Sequence, residues 1–139
     1  MSPSFPPSAT TRKLRILYAD DMPELRELMA ALLSREGHEV STVEDGSLAW
    51  EKIQAAPGTF DLLITDHHMP KMNGLELVAR VRTAPFSGKV IVFSSDVSNA
   101  VREKYREYCV DQFLPKPIFR EVLVRTLREL FAKSDSALV

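Results

Sequence analysis

The chain has 139 residues, a length that suits one domain with a sizeable core. Hydrophobic residues make up 45% and charged residues 27%, and the formal net charge is −1, which gives no electrostatic ground for binding nucleic acid or an anionic membrane. One cysteine, Cys109, excludes an intrachain disulfide framework and fits a reducing, cytoplasmic setting, and no apolar run approaches the length of a membrane span.

Residues 1–12 are rich in Pro, Ser and Thr and lack the basic start and apolar middle of a signal peptide; a disordered lead-in is expected there. Leu14 to Ala19 is a short apolar strand that stops at Asp20-Asp21. Pro23 suits a first helical turn, and Leu25, Leu28, Met29, Leu32 and Leu33 recur at helical spacing until Gly37 ends the helix. Val40 to Val43 is a second strand, closed by Asp45-Gly46, and the helix that begins at Leu48 to Ile53 stops by Pro57-Gly58. Phe60 to Ile64 is interrupted only by Asp61. Leu62, Leu63 and Ile64 have no polar residue between them, which predicts a strand buried on both faces, as in a parallel sheet. Then come Asp66, two histidines, a Met-Pro and a turn ending in Asn73-Gly74. Leu75 to Val81 forms a third helix, ended before Pro85. Lys89 to Phe93 is a fourth buried strand and runs into Ser94-Ser95-Asp96. Ser98 to Cys109 reads as a charge-rich fourth helix with a thin apolar line of Val101, Tyr105 and Tyr108. Gln112 to Leu114 is a short fifth strand before Pro115-Lys116-Pro117, and Ile118 to Phe131 is a last helix with Leu123, Leu127, Leu130 and Phe131 on one face. A single folded domain over 13–133 and a frayed tail over 134–139 are expected.

Five strands alternating with five helices imply right-handed crossovers and an α/β fold with a parallel sheet covered on both faces. All strands then point the same way, and their carboxyl ends carry Asp20-Asp21, Asp45, Asp66, Ser94 and Lys116 in turn. Ligands of open α/β sheets bind at that edge. Taken alone, Asp66 would be read as a loop-capping carboxylate; what changes the reading is the company of Asp20, Asp21, Ser94 and Lys116. Two carboxylates at ~4 Å repel by roughly 4 kcal/mol at an effective dielectric near 20. Three in one crevice need positive charge, and either Lys116 or a hard divalent cation such as Mg²⁺ can supply it. Carboxylates, a lysine and a hydroxyl together suit phosphoryl transfer with a carboxylate nucleophile. No Gly-rich phosphate loop is present, so a bound nucleotide is not suggested.

Asp-Asp, Asp-x-x-Met-Pro-x-Met-Asn-Gly, Ser and Lys-Pro, in this order and each after a strand, resemble the receiver domain of bacterial two-component response regulators. The resemblance covers Leu14 to Phe131. It implies a flavodoxin-like (βα)5 fold with strand order 2-1-3-4-5. It also implies that Asp66 is the phosphoacceptor, attacking a phosphohistidine of a histidine kinase or histidine phosphotransfer protein. Asp21 and Asp66 would ligate Mg²⁺ directly, Asp20 chiefly through water, and the backbone carbonyl of His68 would complete the protein ligands. Lys116 would pair with Asp66 or the phosphoryl group, with a cis bond to Pro117. Ser94 matches the switch hydroxyl, Phe113 the aromatic switch, and His68 and Asp96 the positions that tune acyl-phosphate lifetime. Helix 4, strand 5 and helix 5 would meet a downstream protein or a second receiver, as in a homodimer. Such a protein turns over no external substrate and is not an ordinary enzyme.

Two other classes compete. An aspartyl-phosphate hydrolase of the haloacid dehalogenase type would show Asp-x-Asp at the nucleophile, where this chain has His68, and a cap segment. A phosphorylation-independent adaptor of the same fold would be expected to have lost one of the acidic residues. Zinc is disfavoured at His67 and His68, because the only other histidine, His38, begins strand two, away from this edge; both are expected to be exposed loop residues. Phe113 can equally be read as a plain core aromatic, and Cys109 as a half-buried structural thiol. Cys109 falls where the family often has a small residue, in a segment that here reads Tyr108-Cys109-Val110.

Overall fold

The computed structural model describes residues 12–131. The expected lead-in, apart from Arg12, and the expected tail lie outside the described residues. Strands and helices alternate as β1 Arg15–Ala19, α1 Pro23–Arg35, β2 Glu39–Val43, α2 Gly46–Ala55, β3 Leu62–Asp66, α3 Gly74–Val81, β4 Lys89–Ser94, α4 Asn99–Arg106, β5 Gln112–Pro115 and α5 Arg120–Phe131. The strands form one sheet of order β2-β1-β3-β4-β5, and every pairing is parallel. This is the flavodoxin-like architecture that the sequence implied.

Strand residues alternate between two cores. Ile16, Tyr18, Leu62, Ile64, Ile91 and Phe93 face one layer, closed by Met29 and Leu33 of α1 and Leu123, Leu127 and Phe131 of α5. Leu17, Ala19, Leu63, Val90 and Val92 face the other, closed by Ala49 and Ile53 of α2, Leu77, Val78 and Val81 of α3, and Tyr105 of α4. A strand that meets both layers has no solvent face, which is why β3 reads as an unbroken apolar run. Full burial of one such Leu or Ile stabilises the fold by about 1.5–3 kcal/mol.

Helix starts follow local chemistry. Pro23 opens α1 without a side-chain cap. Asp45 caps α2 by accepting from Leu48 N. Asn73 and Glu76 form a reciprocal capping box on α3. Gly37, at φ +97°, turns the chain out of α1 in the left-handed region.

Several expectations need correction. The third strand begins at Leu62, with Phe60 and Asp61 outside it, and Asp66 is its last residue. Leu28 shares the helical spacing of the α1 core face but is 56% exposed; only Met29 and Leu33 of that helix are buried, because 3.6-residue drift carries Leu28 off a narrow contact face. The fourth helix ends at Arg106, and Cys109 lies beyond it, exposed and left-handed at φ 55°.

Candidate functional site

Parallel register brings the strand ends to one edge. Ala19 pairs with Thr65, Asp66 with Phe93, and Ser94 with Pro115, so the residues that follow β1 and end β3, β4 and β5 share that edge. Asp20 is wholly buried, Asp66 is 5% exposed, and Asp21 faces solvent. Each of the three offers a carboxylate oxygen, and these oxygens all lie within 4.8 Å of one another.

Lys116 reaches both buried carboxylates, with Nζ 3.1 Å from Asp66 Oδ1 and 3.4 Å from Asp20 Oδ2. The peptide bond from Lys116 to Pro117 is cis, as the resemblance implied. Asp20 is fixed from several directions. Tyr18 Oη donates to its Oδ2 at 2.6 Å, Met22 N to its Oδ1 at 3.0 Å, and the Arg26 guanidinium to its backbone carbonyl at 2.8 Å. Burial, and then the Asp20 charge, push the Asp66 carboxyl above its ordinary pKa, against the pull of Lys116 and the His67 N–H. Burial beside Asp20 likewise pushes the Tyr18 phenol up, so it remains a donor.

A hard, all-oxygen donor set suits a divalent cation of the Mg²⁺ type. When ionised, three carboxylates against one ammonium leave two negative charges uncompensated, the charge of one such cation. Asp45 follows β2 by two residues on the same edge but belongs elsewhere. It pairs with Lys71 at 3.9 Å and caps α2, and its pKa is lowered because the bonds from Leu48 N and Ser47 together with Lys71 outweigh its burial.

Ser94 is buried, and its Oγ donates to the Asp96 carbonyl at 2.9 Å and accepts from Asp96 N at 3.0 Å. Asp96 is exposed and accepts from Ser98 N at the entry to α4. Phe113 is half-buried, with its ring 5.6 Å from Tyr105 and the Arg102 guanidinium 4.9 Å over its face.

His68 is exposed, as expected, but His67 is not a free loop residue. Its N–H is shared between Asp66 Oδ1 at 2.9 Å and the Phe93 carbonyl at 3.0 Å, and its Nδ1 meets Tyr105 Oη at 2.5 Å. Burial, with His68 nearby, pushes its pKa down, which favours the neutral ring. Sequence reading missed this residue, and Tyr18 and Arg26 as well. Nothing in the spacing signals that a tyrosine on the apolar line of α4 should meet the residue after Asp66.

A profile of the family described as the response regulator receiver domain matches residues 16–128. The chemotaxis protein CheY1 of Helicobacter pylori is 33% identical over 125 residues, covering 88% of this chain and 100% of that protein. Of several other relatives the chain spans only 15%, 22% or 17% of the length. Among solved structures, the chemotaxis protein CheY4 of Vibrio cholerae superposes with a TM-score of 0.79 at 29% identity, covering 86% of this chain and 99% of that one. The receiver domain of a sensor histidine kinase from Pseudomonas aeruginosa PAO1 has a TM-score of 0.76 at 23% identity over 84% of this chain and 96% of that one; its active-site cleft coordinates a magnesium ion.

Proposed function

The chain belongs to the response regulator receiver domain family, and from that premise we propose that it accepts a phosphoryl group on Asp66 from a phosphohistidine of a histidine kinase or phosphotransfer protein. The observation that carries this reading is the buried pair of Asp20 and Asp66 bridged by Lys116, with Asp21 beside them at the open edge. An Asp66 oxygen attacks phosphorus, the P–N bond of the donor breaks, and its electron pair leaves with the imidazole. Lys116 stands within 3.1 Å of Asp66 Oδ1, placed to neutralise a phosphoryl oxygen as charge builds there. Asp20, Asp21, Asp66 and the His68 carbonyl would hold Mg²⁺, which when bound supplies positive charge opposite the phosphoryl oxygens. Attack of water on the acyl phosphate restores the carboxylate and releases inorganic phosphate, so the chain turns over its own modification and no external substrate.

Ser94 is the hydroxyl on the neighbouring strand that would turn toward the new phosphoryl group, giving up its bonds to the Asp96 main chain. Phe113 would follow it, and the surface of α4, β5 and α5 would pass the state to a protein target or a second receiver. His68 and Asp96, both exposed at the rim, set the lifetime of the acyl phosphate. Exchanging both for other polar residues is expected to change its half-life; an unchanged half-life removes them from that role. The phosphoacceptor claim is tested with phosphoramidate and Mg²⁺, read by intact mass. The wild type should gain one phosphoryl group, EDTA should abolish the gain, and Asp66→Asn should show none. No gain in the wild type would rule the reading out.

A further inference from the structure

Tyr105 is the one fully buried side chain of helix α4, at 1% exposure, with half-buried Val101 packed against the same core. Its ring stands edge-on to His67, with centroids 5.4 Å apart, and its hydroxyl shares a hydrogen bond with His67 Nδ1. Space for the phenol comes from Gly74, the first residue of α3. A Cβ there would lie 2.7 Å from Tyr105 Oη and 2.5 Å from the Asp66 carbonyl oxygen. His67 therefore touches two things at once: the Asp66 carboxylate through its N–H, and the anchor of α4 through its ring.

We propose that His67 and Tyr105 are a positioning pair that couples the chemical state of Asp66 to the seating of α4. This deepens the phosphoacceptor reading and rests on it. While Asp66 is a carboxylate, Oδ1 is a charge-assisted acceptor for the His67 N–H. Forming the acyl phosphate turns one carboxylate oxygen into the bridging oxygen and the other into a carbonyl, both weaker acceptors, and moves the charge outward onto the phosphoryl group. The hold on the His67 main chain slackens, and the ring carried by that residue loosens its grip on Tyr105. The phenol bond thus belongs mainly to the unmodified state. Deleting it weakens that state selectively, and by reciprocity the modified state becomes easier to reach.

The test is a calorimetric titration of the full chain with beryllofluoride, an acyl-phosphate mimic, in Mg²⁺. Tyr105→Phe, which keeps the ring and removes the hydroxyl, should bind beryllofluoride about fivefold more tightly than wild type, the effect of one buried hydrogen bond. His67→Phe, which removes the ring nitrogen of the pair, should tighten binding in the same direction. The double variant should bind no more tightly than either single one, since both delete the same bond. A merely structural role would lower the melting temperature without this non-additive gain in affinity. Should Tyr105→Phe fail to fold, His67→Phe alone carries the comparison. Unchanged or weaker binding in the folded variant, beside normal wild-type binding, overturns the coupling and leaves the phosphoacceptor reading standing. No binding by the wild type overturns both.

Discussion

At the scale of single residues, buried polar groups here are placed by partners as much as by burial. Lys116 offsets two carboxylates, Tyr18 holds a third position around Asp20, and His38 shows the same logic away from the site. His38 is 8% exposed, and its Nδ1 accepts from Leu14 N at 3.1 Å, a bond that only the neutral ring can make. Burial pushes its pKa below 6.5, against a smaller opposing effect of Glu36. As pH falls through 6.5 the unfolded chain takes up a proton that the folded chain refuses. The stability tied to His38 is therefore complete above that pH and is lost below it. Denaturant unfolding followed from about pH 8 to about pH 5 should show stability falling with pH, and the fall should be shallower in His38→Asn, whose amide oxygen can accept the same bond without charging. Equal slopes in the two proteins would contradict the assignment.

At the scale of elements, the strands were legible in the sequence because sheet geometry forces one pattern on them. Leu62 to Ile64 meets a core layer on each face, so no polar residue can stand among them, and the charged residues that follow each run mark the functional edge. Asp20, Asp21, Asp66 and Lys116 were recoverable for that reason. Contacts that join distant elements were not. The Tyr105 to His67 bond, the Arg26 hold on the Asp20 carbonyl and the exposure of Leu28 depend on helix placement, which periodicity leaves open. The end of α4 is a similar case. Arg82, from the end of α3, donates to the Tyr108 and Cys109 carbonyls at 2.8 and 2.9 Å, fixing a turn in which Cys109 takes φ 55°. A left-handed conformation costs an L side chain roughly 1–2 kcal/mol that glycine avoids, less what glycine loses in chain entropy. Cys109→Gly should therefore stabilise the protein by about 0.5–1 kcal/mol in urea unfolding. A loss of stability would show that the thiol makes a compensating contact.

At the scale of the whole molecule, the fold is a device for bringing residues far apart in sequence to one edge. Lys116 and Asp20 lie 96 positions apart, yet meet at 3.4 Å because all five strands run the same way and their ends are in register. Both core layers hold the sheet that sets the distances, and each also lends one tyrosine to the edge, Tyr18 beside Asp20 and Tyr105 beside His67. On the proposed reading this edge makes Asp66 the nucleophile. Borohydride reduction of the phosphoramidate-treated protein, followed by peptide mapping, tests it most directly, because an acyl phosphate is reduced to an alcohol where a free carboxylate is not. Donor-dependent and Mg²⁺-dependent conversion to homoserine is expected at position 66 alone. Conversion at position 20 or 21 with position 66 untouched would contradict it.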